Sequence, residues 1–236
     1  MEGRSHALSG LTAGVAAGSL VMHEPAGPLA LLAGLTAAYA LSPDLDSCGS
    51  TEARSFGLIT RGLAWFVRAV SGGHRHGTHS LLGVAVFTAV AWGACQFRET
   101  WPCRVVLCVI IAIGLASAAD ALRPGPADIE GVLGLGAAVA MCWTGYGLAL
   151  VPLAAALGTG THIIGDMATV SGCPLAWPAS MREYHLLPGP LRFTTGKAAE
   201  HVVVTPLLLA ALGFLLWRDA ATLTSHASTL TLRSSP

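Results

Sequence analysis

Charge is what this sequence lacks most. Only 11% of its 236 residues are Asp, Glu, Lys or Arg, where soluble globular domains carry roughly 25%. A surface so poor in charge is badly suited to water, and a mean hydropathy of +0.62 points the same way. The 13 basic and 13 acidic residues cancel, so there is no broad basic footprint and no nucleic-acid partner is expected. Six cysteines form no CxxC pair, and Cys95, Cys108 and Cys142 lie inside apolar runs. A disulfide framework or a thiolate metal site is thereby excluded as the organising feature. Alternating polar and apolar strands are missing, which argues against a barrel. Internal repeats and low-complexity linkers are missing too.

What the chain does have is long apolar stretches. A helix needs about 20 mostly apolar residues to cross the hydrocarbon core. Runs near that length span Ala7–Met22, Ala26–Ser42, Leu81–Phe97, Val105–Ala119 and Val202–Trp217. A longer tract, Ile129–Gly165, holds two passes with a turn near Thr144–Gly147. The first run resembles a signal peptide, but Glu2 offsets Arg4 and His6, Ser9 and Thr12 interrupt it; it reads as an uncleaved helix. The expected fold is all-α: a multi-pass membrane protein of five to seven hydrophobic helices with a His/Asp cluster at one face. It forms a single domain over residues 1–218, followed by a Ser/Thr-rich tail over 219–236 that reads as disordered.

Seven crossings with an inner N-terminus place Arg4, Arg54, Arg61, Arg68, Arg75, Arg123, Arg182, Arg192 and Lys197 inside. Only Arg98, Arg104, Arg218 and Arg233 fall outside, which obeys the positive-inside rule. The same topology puts His6, Asp44, Asp46, His74, His79, His162 and Asp166 at the inner ends of their segments.

Imidazole and carboxylate are ligands for zinc, and suit iron and manganese. In THIIGD, His162 and Asp166 stand four apart, on one face of a helix; they reach one ion or share a hydrogen bond. GGHRHGTHSLL crowds His74, His76 and His79 into six residues, as ligands from a loop and a first helical turn or as a basic loop on anionic headgroups, with ligands favoured. In SPDLDS, Asp44 and Asp46 repel each other unless a cation is near; alone they read as a solvated turn. His6 counts only because its helix starts at the same face. Glu200 is a ligand, a general base or an ordinary first-turn acid. Asp120, Asp128 and Glu130 read as helix-end residues, and His23, His185 and His226 carry no role.

RSH near the start, SPDLDS, HRHGTHSLL, THIIGD followed by VSGCPLAWP, and TTGKAAE occur in that order. Together they resemble the YdjM-like family of inner-membrane metal-dependent hydrolases, over roughly Arg4 to Glu200. The resemblance implies an all-helical fold distantly similar to zinc-dependent phospholipase C and the zinc-dependent single-strand nucleases. It implies His6, Asp44, His74, His79, His162 and Asp166 as metal ligands, with Asp46 and Glu200 beside them.

The expected function is therefore a membrane-bound metal-dependent hydrolase of a phosphodiester or other, lipid-like, ester. One to three divalent ions, zinc foremost and manganese or iron as alternatives, lower the pKa of a water. Asp46 or Glu200 takes its proton, and Arg75 offsets charge on a phosphoryl oxygen. The competing readings are metal or proton transport, and an adaptor stapled by a structural metal. The expected location is the bacterial inner membrane with the site on the cytoplasmic side, and the expected partners are membrane lipid and a small or lipid-like substrate.

Overall fold

The structure, a computed structural model, describes residues 1–123 and 127–233. Asp128 and His226 lie outside its described side chains. Among the described residues the architecture is helical. α1 (Gly3–Ala16) continues as a π-helical segment to Met22, and α2 covers Ala26–Tyr39. A 3-10 turn, Ser42–Asp46, leads to the short α3 (Thr51–Arg54) and to α4 (Leu58–Val70). α5 (Leu81–Gln96), α6 (Trp101–Leu122), α7 (Ala127–Thr144) and α8 (Val151–Met167) follow. A long irregular connection then reaches α9 (Thr205–Arg233), preceded by the π-helical segment Glu200–Val204.

Sequence explains the joints. Pro43 sits in the first turn of the 3-10 segment, where its missing N–H and fixed φ cost nothing. Ser80 caps α5 by accepting from Gly83 N at 3.1 Å, one residue past the Thr78/His79 start that the sequence suggests. α9 carries on past Trp217 through most of the Ser/Thr-rich tail, where the sequence alone suggests a frayed end.

α2 is the central helix, flanked by α1, α6 and α8. Leu32, Leu35, Leu107, Ile111 and Val151 are buried at its contacts. Small residues let the backbones close up, as in membrane helix pairs generally. Gly158 of α8 is the tightest case that matters for the site: a Cβ there would stand 2.6 Å from Thr36 O and 2.7 Å from Ala40 N of α2.

Among the described residues, four segments are long and apolar enough to cross a membrane: Ala26–Asp46, Trp101–Leu122, Leu148–Met167 and Glu200–Ala220. Leu81–Gln96 and Ile129–Thr144 are shorter apolar helices. α1, interrupted by Ser5, His6, Ser9 and Thr12, packs against α2, α8 and α9. The helices alternate in direction, so that the starts of α1, α5, α7 and α9 share one end with the finishes of α2, α6 and α8. Ala121 of α6 and Asp44 border one cleft at that end, and Cys95 Sγ donates to Leu148 O at 3.4 Å at the other.

The exposed aromatics mark the bilayer. Trp92, Trp101, Trp143 and Trp217 are all exposed and all lie toward the far end, an interfacial belt. At the near end, α4 exposes Leu58, Ile59, Trp65, Phe66 and Val70 on one side, while Thr60 and Ala64 are buried against the protein. Arg61 and Arg68 flank that apolar face. This is the pattern of a helix lying in the interface plane. In the sequence it lies between the apolar runs Ala26–Ser42 and Leu81–Phe97 and matches neither.

Candidate metal centre

Four segments deliver titratable side chains to the near end. His6 sits on the first turns of α1, Asp44 and Asp46 on the 3-10 turn after α2, His74 and His79 on the loop before α5, and His162 and Asp166 one turn apart on α8. His6, Asp46, His79, His162 and Asp166 are fully buried, and Asp44 keeps 22% of its side chain exposed. Three overlapping sets, His6–Asp44–His162, His79–His162–Asp166 and Asp44–Asp46–His74, each bring their ligand atoms within 4.8 Å of one another.

The imidazoles are oriented through one nitrogen. His162 Nδ1 donates to Ala40 O at 2.7 Å, a contact that the close approach at Gly158 permits. Thr78 Oγ1 donates to Asp46 Oδ2 at 2.5 Å, so its oxygen accepts from His79 Nδ1 at 3.0 Å. His74 Nδ1 donates to Asp46 Oδ1 at 2.6 Å, a bond that raises the His74 pKa above its ordinary value against an opposing effect of partial burial. Each ring is left with Nε2 bare. Fixing the tautomer from behind in this way is how proteins present imidazole to a metal.

The bare nitrogens converge. His79 Nε2 and His162 Nε2 are 3.2 Å apart, and with both protons committed to Nδ1 no hydrogen bond joins them. Asp44 Oδ1 lies 3.4 Å from the first and 3.9 Å from the second. Asp166 Oδ2 lies 3.6 Å and 3.7 Å from them. Two nitrogens bound tetrahedrally at zinc–nitrogen distances of 2.0–2.1 Å would stand about 3.3 Å apart. His6 stacks on His162 with ring centroids 3.7 Å apart. Its Nε2 is 3.2 Å from Asp166 Oδ1, yet neither of its buried ring nitrogens makes a well-angled hydrogen bond. Orphaned buried polar atoms are costly, and a divalent cation satisfies this donor set. The residues present fit a metal.

Cationic groups of the protein already gather on Asp166. Arg75 Nη2 is 2.8 Å from Oδ2, and the Met1 amine contacts Oδ1. Arg75 holds φ at 61°, a left-handed conformation unusual outside glycine, which turns its guanidinium inward. Its guanidinium is placed against a ligand carboxylate, where the sequence suggests a role on a phosphoryl oxygen. Asp46 accepts from Thr78, His74 and Arg75 N, the last at 3.0 Å, so it braces the ligand loop while remaining in reach of an ion beside Asp44.

Glu200 is placed differently from its expected role as ligand or base. Both oxygens are taken by backbone amides, Glu2 N at 2.7 Å and Gly196 N at 2.8 Å. It pins the N-terminus to the loop before α9 and joins none of the ligand sets. His76 Nδ1 donates to Gly72 O at 2.5 Å, and His201 is exposed beside Glu2 at 3.7 Å; neither reaches the cluster. Sequence reading also passed over three contributors. Thr78 and the Ala40 carbonyl orient ligands, the first lying inside a motif already singled out and the second leaving no trace in sequence. Glu52, 2% exposed, lies in a cleft with Asp44 and has no partner motif around it.

A loop carries the far side of the site. Leu175 O accepts from Leu81 N at 3.1 Å, and Trp177 covers Gly77, where a Cβ would stand 2.9 Å from the indole ring. VSGCPLAWP therefore holds the histidine loop against α5.

The sequence profile of the YdjM inner membrane protein family matches residues 1–232. Searches of curated proteins and of solved structures return no match. With a profile covering nearly the whole length, apolar helices of spanning length and a buried His/Asp cluster at one end, the chain belongs to the YdjM family of integral inner membrane proteins.

Proposed function

We propose that the protein is a metal-dependent hydrolase of the inner membrane, working at the cytoplasmic end of its helices on a phosphodiester or another lipid-like ester. The observation that carries this reading is the pair of bare Nε2 atoms of His79 and His162, 3.2 Å apart and flanked by Asp44 and Asp166. Zinc is the ion best suited to such a nitrogen and carboxylate set. Once bound, it supplies Lewis acidity and lowers the pKa of a water. The protein's own part is to hold the imidazoles in one tautomer, to brace the histidine loop through Asp46 and Thr78, and to bury the cluster except at Asp44 and His74. That carboxylate keeps its 22% exposure at a cleft of about 490 Å³, whereas a purely structural ion is closed off by its ligands.

Transport is the weaker reading, because the titratable groups stop at one end while Leu32, Leu35, Ile111 and Val151 fill the bundle beyond them. The inner-end excess of arginines supports the cytoplasmic placement. The test is purified protein, metal analysis, and a panel of phosphodiester and carboxylic ester substrates. Hydrolysis that is lost to a chelator, restored by zinc and absent in His162→Ala is the expected result. Hydrolysis that survives both chelation and that substitution removes the reading.

A further inference from the structure

The cleft that reaches Asp44 has a second set of groups. It runs between α1, the turn after α2, α3 and the end of α6, and it is bordered by Arg4, Arg54, Glu52, Asp44, Glu2 and Ala121. Arg4 and Arg54 are exposed, and neither closes a salt bridge among the described residues. In a chain with so few charges, two guanidiniums facing one cleft without a salt bridge are poised for an anion.

Glu52 is the unusual member. Its side chain is buried and its Oε1 has no hydrogen-bond partner. Burial, and secondarily the charge of Asp44, push its carboxyl up to about 8, with local hydrogen bonds and Arg54 opposing. At neutral pH it is therefore a carboxylic acid with a proton to share. A neutral acid donates a hydrogen bond to an anion, where a carboxylate would repel it. The remaining charges around it come from Asp44, which lies among the imidazoles of His79 and His162, and from Glu2 at the rim, 3.7 Å from His201. Asp120 and Glu130 border a neighbouring cavity that shares Arg54 and Thr51.

We propose that this cleft is the docking site of a phosphate group, with Arg4 and Arg54 on its oxygens and the Glu52 carboxyl as a hydrogen-bond donor. Its meaning as a substrate site rests on the hydrolase reading, because Asp44 joins the cleft to the metal centre. As an anion site it stands on the arginines and the glutamate alone. Two guanidiniums match a phosphate ester, carried either by a lipid headgroup or by a soluble molecule.

The experiment measures affinity for inorganic phosphate by calorimetry, with the full chain in phosphatidylcholine nanodiscs, zinc-loaded and metal-free. Arg4→Gln and Arg54→Gln, both at exposed positions, are expected each to weaken phosphate roughly tenfold, the scale of one lost charge-assisted hydrogen bond, with zinc content unchanged. Arg54→Lys restores part of the loss. Glu52→Gln keeps a donor that cannot ionise, so its affinity relative to the native chain rises as pH is raised through about 8; the ratio cancels the titration of phosphate itself. Glycerol phosphate against nanodiscs containing phosphatidic acid then tells a soluble ester from a headgroup, and arginine-dependent binding of either one supports the site. Native-like phosphate affinity in the double arginine variant, with helicity and zinc content intact, overturns it, as does a native chain that binds no phosphate. A native chain that binds phosphate through the arginines but takes up no zinc, manganese or iron keeps the docking site and ends the hydrolase reading instead.

Discussion

His162 Nδ1 donates to the carbonyl oxygen of Ala40 across 2.7 Å, from the last turns of α8 to the residue that follows α2. That bond ties a ligand to the central helix of the bundle. It links the packing of two membrane helices to the direction of a single lone pair.

Packing at Gly158 should therefore be read out at the metal. A Cβ there meets Thr36 O, Tyr39 Cβ and Ala40 N at 2.6–2.7 Å, so Gly158→Val must push α8 off α2. The expected cost is about 1–3 kcal/mol, together with weaker zinc binding as His162 loses its brace. Gly160, with nothing within 4 Å, is the control: Gly160→Ala should be neutral or stabilising by up to about 1 kcal/mol. Thermal unfolding and a zinc competition assay on both variants check this, and equal effects at the two positions would refute it.

Thr78→Val removes the hydroxyl that serves Asp46 and His79 together while keeping the shape. Zinc affinity should fall about 10–100-fold, the usual effect of losing a partner behind a ligand, with helicity preserved. A chromophoric chelator titration measures it.

Glu52 gives a pH dependence with a definite sign. Its carboxyl is raised from 4.5 to about 8 in the folded chain, so between those values the native state holds a proton that the unfolded chain has released. Stability attributable to this group is greatest at low pH, declines as pH rises from about 4.5 to about 8, and levels off above. In Glu52→Gln that decline should shrink, as followed by denaturation midpoints at several pH values. An unchanged slope would show that Glu52 is ionised in the fold.

α4 should report from the membrane. A spin label at Ile59→Cys, on its exposed apolar face, should be accessible to oxygen and shielded from a water-soluble nickel reagent, at a depth of about 5–10 Å. A label at Arg61→Cys should show the reverse preference. Equal behaviour at both positions would mean that α4 stands in water.

Cys48 is exposed just past Asp46. With Cys48 as the sole remaining cysteine, an impermeant maleimide should label inverted vesicles and leave spheroplasts unlabelled. The opposite pattern would place the metal centre on the other side of the membrane.

Much of this site is legible in the sequence because local geometry writes it there. The four-residue spacing of His162 and Asp166 survives as one face of α8, and Pro43 with its two aspartates survives as a tight turn. The glycines around His74 and His79 announce a loop. What stayed hidden depends on distant backbone. Glu200 reads like a ligand or base, and only the positions of Glu2 N and Gly196 N reveal that both its oxygens are used. Arg75 reads as free, and only its left-handed φ sends it to Asp166. α4 escaped because its apolar face is interleaved with Arg61 and Arg68, which masks an interfacial helix in any running average of hydropathy.

The ligands' scatter along the chain sets the order of events at birth. When α1 and α2 enter the bilayer during synthesis, His6 and Asp44 arrive without the partners that α8 will bring more than a hundred residues later. The two ligand sets that use His162 cannot close until α8 threads into place beside α2. A cation held by those sets would be captured only once α8 is in place, and a ribosome that stalls before residue 162 leaves a polypeptide in which neither of them can form.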